Sequence, residues 1–219
     1  MTSAPKFASC WDPMKVKICG ITTLEDALAA CEAGADALGF NFAPEAKKKN
    51  RYIDPDKAIA IINSLPPFVS TVAVTVNETT DRLKEYLEFV DFVQLHGEES
   101  AEQCDALGGR AIKAFRLSPD FSTESLKDYT VVAYLVDAYL DGERGGTGAT
   151  CDWAQAAQLA SNASPMILAG GLTPANVHEA AQAVRPYGVD TAGGVESAPG
   201  KKDHEKMREF VRNAKIPLS

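Results

Sequence analysis

The reading of KVKICGITTLEDALAACEAG, residues 15–34, decides the fold. Val16 and Ile18 make a short buried strand that runs into Cys19 and Gly20. A sharp turn follows, and then a helix pattern. Thr23 stands as N-cap, Asp26 lies three residues on, and Gly34 supplies the C-cap. The unit is strand, turn, helix. A cysteine at the mouth of such a strand has two readings. It is a small buried hydrophobe, or it is a thiol beside cationic groups, with a lowered pKa and the reactivity of a thiolate.

The unit recurs. Short apolar runs fall at 15–19, 36–42, 69–76, 91–95, 111–116, 131–137, 165–169 and 187–191. Helix-length amphipathic segments separate them. DPDKAIAIINSL carries Asp54 as cap and Pro55 at the first helical position, and DHEKMREFVRNA closes the series. The segment around 120–127 is the weakest, a stub after Pro119. Alternating strands and helices imply a parallel sheet. Eight such units fit a single-domain (β/α)8 TIM barrel of the α/β class. The runner-up is a doubly wound open sheet. Against it, no G-x-G-x-x-G follows the first strand, and the glycine clusters come late. Residues 1–14 read as an N-terminal extension and 15–219 as the barrel.

Composition narrows the function. The chain has 219 residues, 45% apolar and 24% charged, which suits one globular domain with a good core. A net charge of −8 argues against nucleic acid or an anionic membrane surface as partner. It leaves a small anionic ligand open. Cys10, Cys19, Cys31, Cys104 and Cys151 are odd in number and fit neither a metal spacing nor a C-x-x-C pair. They read as reduced thiols in a cytoplasmic protein. No apolar run reaches the roughly 18 residues of a membrane span, and the first residues do not read as a secretory signal. No interface is legible, so the oligomeric state stays open.

In a barrel the strand ends share one mouth. Strand 1 brings Cys19. Arg51 follows strand 2, after the basic run at residues 47–49, which reads as a solvated surface. Strand 4 brings Gln94 and His96, strand 5 Lys113 and Arg116, and strand 6 Asp137. The loop after strand 6 carries GGTG, residues 145–148. Strands 7 and 8 end in glycine pairs, Gly170 with Gly171 and Gly193 with Gly194. Each pair alone is a tight turn or an anion cradle. Together in the last two loops they favour phosphate, because backbone N–H groups can approach an anion there. Asp137 ends an apolar run, which suits a general acid, although a structural cap is the competing reading. Arg51 can pair bidentately with a carboxylate. His96 orients a substrate or caps a strand end.

KICGIT, GADALGFNF, RYI, VQLHG, VDA, GGTG, LAGGLTPANV and the closing GGVES-A-PGKKD occur in the order found in phosphoribosylanthranilate isomerases of tryptophan biosynthesis. The resemblance covers about residues 15–215. It implies a small-molecule phosphoribosyl substrate, an Amadori rearrangement, and no metal or cofactor. By the same resemblance Cys19 is the general base at ribose C2 and Asp137 the general acid at the ring oxygen. Arg51 holds the anthranilate carboxylate, and Gly170, Gly171, Gly193 and Gly194 cradle the phosphate. One departure stands out. The family commonly has serines before the last glycine of that loop, where this chain has Ala192 and Gly193.

Three other readings compete. A related phosphoribosyl aminoaldose–aminoketose isomerase resembling the histidine-pathway enzyme would need an aspartate where Cys19 stands. A non-catalytic phospho-ligand-binding barrel would need the anchors but not the acid and base. A Cys19–His96 hydrolase would need strands 1 and 4 to be adjacent at the mouth.

Overall fold

The computed structural model describes residues 14–118, 121–138, 152–163 and 165–218. Cys10, Cys151, Pro119 and the glycine run at 145–148 lie outside them.

Among the described residues, eight strands close into a parallel barrel in chain order: β1 Lys15–Cys19, β2 Ala37–Asn41, β3 Ser70–Thr75, β4 Phe92–Leu95, β5 Ala111–Leu117, β6 Ala133–Ala138, β7 Met166–Leu168 and β8 Gly188–Thr191. The open doubly wound sheet is thereby excluded. Strand β8 pairs with β1, and the register sets Lys17 opposite Asp190 across that seam.

Each strand sorts its side chains by period two. On β1, Val16 and Ile18 face the helices and join the larger core. The barrel interior is a smaller cluster built around Val72, Ile112, Ala114, Ala133, Leu135 and Ala169. The same alternation explains why Lys113 is not at the mouth. Its strand neighbours Ile112 and Ala114 point inward. Lys113 points out, where its ammonium bonds Glu99 at 2.9 Å and the Gly97 carbonyl at 2.7 Å. Arg116 is likewise engaged, pairing with Glu98 at 3.2 Å.

The helices start where the capping chemistry predicts. Helix α1 (Leu24–Glu32) is capped by the Thr23 hydroxyl, which accepts from Asp26 N at 3.2 Å. Gly34, at φ 91°, turns the chain just past its end. Helix α2 (Pro55–Ile62) has Asp54 as cap and Pro55 in its first turn. Next come α3 (Thr80–Tyr86), α4 (Ala101–Asp105), α5 (Trp153–Ala160) and α6 (Val177–Val184). Two connections depart from the strand–helix rule. A 3-10 turn, Thr123–Leu126, replaces a helix after β5, and another, Pro44–Lys49, precedes α2. After β8 the chain makes a 3-10 turn (Gly193–Val195), the hairpin β9 (Glu196–Ala198) and β10 (Lys201–Lys202), and then α7 (His204–Ala214). That hairpin was not anticipated. It carries two of the charges that shape the site. Among the described residues no helix is long and apolar enough to cross a membrane.

Candidate active site

The C-terminal ends of the strands surround a cavity of about 940 Å³. Cys19, Arg51, Gln94, His96, Asp137, Gly170, Gly171, Gly193 and Gly194 all line it. So do Lys48, exposed as the surface reading of that run has it, and the partly exposed Lys49; Lys47 lies 4.5 Å from the centre of the Tyr52 ring. Val74 and Val76 supply apolar wall on the β3 side.

Cys19 ends β1 and is 8% exposed. The turn after it is fastened to β2, because Gly20 N and Ile21 N both donate to the Gly39 carbonyl, at 2.9 and 3.0 Å. Gly39 leaves room for the thiol: a Cβ there would lie 2.8 Å from Sγ and 3.1 Å from Lys17 Nζ. Lys17 Nζ donates to Asp190 Oδ1 at 2.9 Å, and both residues are buried. Lys202 Nζ donates to the Cys19 carbonyl at 2.7 Å, to the Ala192 carbonyl at 3.0 Å and to Glu196 Oε1 at 3.1 Å. These charges act on the thiol in opposite senses. Burial pushes it up, the Lys17 and Lys202 ammoniums pull it down, and Asp190 pushes it up again. The net direction is up. Burial outweighs the lowering that the nearby cations exert.

On the far wall, Asp137 is the penultimate residue of β6 and is 5% exposed. His96 Nε2 stands 3.5 Å from Asp137 Oδ2. The Gln94 side-chain nitrogen lies 2.9 Å from His96 Nδ1. With the amide assigned this way, Gln94 donates and Nε2 carries the ring hydrogen. Gln94 Oε1 and His96 Nε2 are buried and have no hydrogen-bond partner among the described residues. Each such atom costs roughly 1–3 kcal/mol if left unsatisfied. Both belong to residues of the cavity wall, where a ligand or water can satisfy them.

Arg51, 9% exposed, makes a two-pronged contact with Glu196: Nε to Oε1 at 2.9 Å and Nη2 to Oε2 at 2.8 Å. Burial pushes the Glu196 carboxyl up, but Arg51 and Lys202 outweigh it and hold it below the ordinary carboxylate value. The bidentate edge foreseen for a ligand is thus occupied by a protein carboxylate. A ligand anion can meet Nη1 on the other edge. Gly193 accommodates this fork, since a Cβ there would lie 2.8 Å from Arg51 Nη2.

The two glycine loops touch. A Cβ on Gly194 would overlap the Leu172 carbonyl oxygen, so only glycine lets the loop after β8 close on the loop after β7. Gly170 and Gly171 adopt φ of 89° and 63°, a conformation open to glycine. Gly194→Ala is expected to lower stability by roughly 1–3 kcal/mol. Thermal melting would show a midpoint several degrees lower; an unchanged midpoint would mean that the loops need no such contact.

Sequence reasoning missed Lys17, Asp190, Glu196 and Lys202 as parts of the site. A lysine within a short buried strand was the available signal, since such a residue is seldom buried without a partner. Among the described residues no group of three metal-ligating side chains occurs.

A parallel barrel with a thiol and a carboxylate on non-adjacent strands, and glycine loops on β7 and β8 between them, defines a (β/α)8 enzyme for a small phosphorylated substrate. The family profile described as N-(5'phosphoribosyl)anthranilate (PRA) isomerase matches residues 16–213, and the chain belongs to that family. It is 52% identical over 209 residues to the N-(5'-phosphoribosyl)anthranilate isomerase of Geobacter metallireducens, covering 92% of this chain and 99% of that one. The solved phosphoribosyl anthranilate isomerase of Thermus thermophilus superposes with a TM-score of 0.82 at 42% identity, covering 91% of this chain and 98% of that one. A third relative was solved in complex with reduced 1-(o-carboxyphenylamino)-1-deoxyribulose 5-phosphate. It has a TM-score of 0.80 at 40% identity and covers 92% and 98% of the two chains. The chain is an aldose–ketose isomerase of tryptophan biosynthesis. It converts N-(5-phosphoribosyl)anthranilate to 1-(2-carboxyphenylamino)-1-deoxyribulose 5-phosphate.

Proposed function

We propose that Cys19 is the general base and Asp137 the general acid of this isomerisation. One observation carries the reading. Both side chains line a single cavity from strands β1 and β6, and the glycine loops of β7 and β8 lie between those strands. A phosphate held by Gly170, Gly171, Gly193 and Gly194 puts the attached sugar between acid and base. The anthranilate ring then reaches toward Val74 and Val76, with its carboxylate near the free edge of Arg51 and near Lys48 and Lys49. Two anchored ends fix the reacting carbons, which removes much of the entropic barrier.

The chemistry runs in two proton transfers. Asp137 gives its proton to the ring oxygen as the C1–O bond breaks, and the anilino nitrogen lone pair forms a C1=N iminium. The Cys19 thiolate then takes the C2 proton, and the C2–H electrons form the enolamine, which tautomerises to the ketone. Gln94 Oε1 and His96 Nε2 find partners among the sugar hydroxyls. Barrel residues 15–219 carry this activity, residues 1–14 stand outside it, and the protein works in the cytoplasm.

The roles are tested with substrate generated in situ and followed by its fluorescence. Arg51→Ala is expected to raise KM about ten- to a hundredfold, the worth of a charge-assisted hydrogen bond, with kcat changed by less than about threefold. An unchanged KM would remove Arg51 from the carboxylate site and leave it as the partner of Glu196 alone.

A further inference from the structure

We propose that Lys17 and Asp190 are positioning residues for this reaction. Lys17 sets its ammonium against the Cys19 sulfur and stabilises the thiolate, while Asp190 fixes Lys17 and moderates that stabilisation. The proposal rests on the reading of Cys19 as base. Nothing in the barrel's architecture requires an ion pair in this layer.

The placement follows from strand geometry. Lys17 and Cys19 are two residues apart on β1, so both point into the barrel. Asp190 is the register partner of Lys17 across the β1–β8 seam. The Lys17 Nζ and Cys19 Sγ atoms converge on the same point, the position a Gly39 side chain would fill. Both approach that point closely, 2.8 Å for Sγ and 3.1 Å for Nζ, which puts the ammonium beside the sulfur.

Donor counting separates Lys17 from the other nearby ammonium. A lysine has three N–H donors. Lys202 already meets three acceptors, namely the Cys19 and Ala192 carbonyls and Glu196. It acts on the sulfur through its charge only. Lys17 gives one bond to Asp190 and keeps donors for the sulfur. Among the described residues the charged groups gathered here are Lys17 from β1, Asp190 from β8, Lys202 and Glu196 from the hairpin, and Arg51 paired to Glu196. Strand β2 faces the sulfur with Gly39 and brings no charge. Three cations face two carboxylates. The cluster is one positive charge in excess with a thiol and neutral with a thiolate. Burial favours the thiol, and Lys17 is the largest of the pulls against it.

The two residues therefore act on the sulfur with opposite signs, and the proposal requires that this balance be felt in turnover. The test is the pH dependence of iodoacetamide alkylation of Cys19 in the full chain, read by mass spectrometry of the peptide that contains it. Lys17→Met should move the alkylation midpoint up by about one pH unit or more, with kcat down roughly tenfold or more and KM little changed. Asp190→Asn should move the midpoint down. Lys17→Arg should restore most of the wild-type profile. If either single variant fails to fold, the double variant Lys17→Met/Asp190→Asn removes both charges together. Its midpoint should still lie above that of the wild type. A midpoint indifferent to Lys17, or moved in the same direction by both single variants, overturns the proposal. If the midpoint follows Lys17 while Cys19→Ser keeps its turnover, the pair tunes the thiol but Cys19 is not the base, and the reading beneath the proposal is what fails.

Discussion

Asp137→Asn is expected to lower kcat by about a thousandfold or more while leaving the affinity for a reduced product analogue within about threefold. The first number follows from the role: positioned general acids contribute about 10²–10⁴ in rate. Ring opening expels an alkoxide-like oxygen unless a proton arrives with it. Asparagine keeps the shape of aspartate and loses the proton. The second expectation follows from the site. In the proposed binding mode phosphate and carboxylate are held by other elements, the glycine loops and the β2 side, whose residues line the same cavity. Asp137 therefore contributes little to ground-state binding. His96 is a neighbouring group that could replace it, with Nε2 3.5 Å from Oδ2. If His96 substitutes, the residual rate of Asp137→Asn will vanish in the His96→Asn double variant. Retained wild-type turnover in Asp137→Asn alone would remove it as the acid. The assay is the loss of substrate fluorescence after generation in situ.

The parts of the molecule legible in the sequence are those written in local patterns. Strand β1 was readable from Val16 and Ile18, and α1 from Thr23, Asp26 and Gly34, because each signal spans a few residues. Once eight such units close, the strand ends must share one mouth, and Cys19, Gln94, His96 and Asp137 follow. What was not legible depends on partners far apart in the chain. Arg51 meets Glu196 across 145 positions, and Lys17 meets Asp190 across 173. Both contacts exist because the barrel seam brings β8 and its hairpin back to β1. No local pattern announces such a partner. Arg51 suits a bidentate carboxylate, and on its Nε–Nη2 edge that carboxylate is Glu196. Lys113 failed for another reason. Its position by period two was available, yet a charged residue near a strand end was read as facing the mouth. The ionisation of Cys19 depends on a balance between burial and several charges, and the sequence shows only that charges are nearby.

Cys19→Ser is expected to be the second severe variant, with kcat down about a thousandfold or more and product-analogue binding nearly unchanged. Serine fills almost the same space, so Gly39 and the turn at Gly20 are undisturbed. Its hydroxyl does not ionise in the range where a thiol does, so the C2 proton has no acceptor. The wild type should carry a second signature. Burial holds the Cys19 thiol above its ordinary value, so over the neutral range the thiolate is the minor form. Its fraction then grows about tenfold for each pH unit below the thiol's own pKa. If proton abstraction limits turnover, log kcat should climb with a slope near one as pH rises and level off only above the ordinary thiol range. The sign is the reverse of that expected from a group needed as an acid. Cys19→Ser should lose this climb along with its rate. A flat wild-type profile would mean either that Cys19 is already a thiolate or that another step limits. A solvent-exchange measurement at C2 separates the two, because wash-in of solvent deuterium faster than turnover shows proton transfer to be reversible and not limiting. Turnover by Cys19→Ser near the wild-type rate would leave no role for the thiol as base, whatever its ionisation.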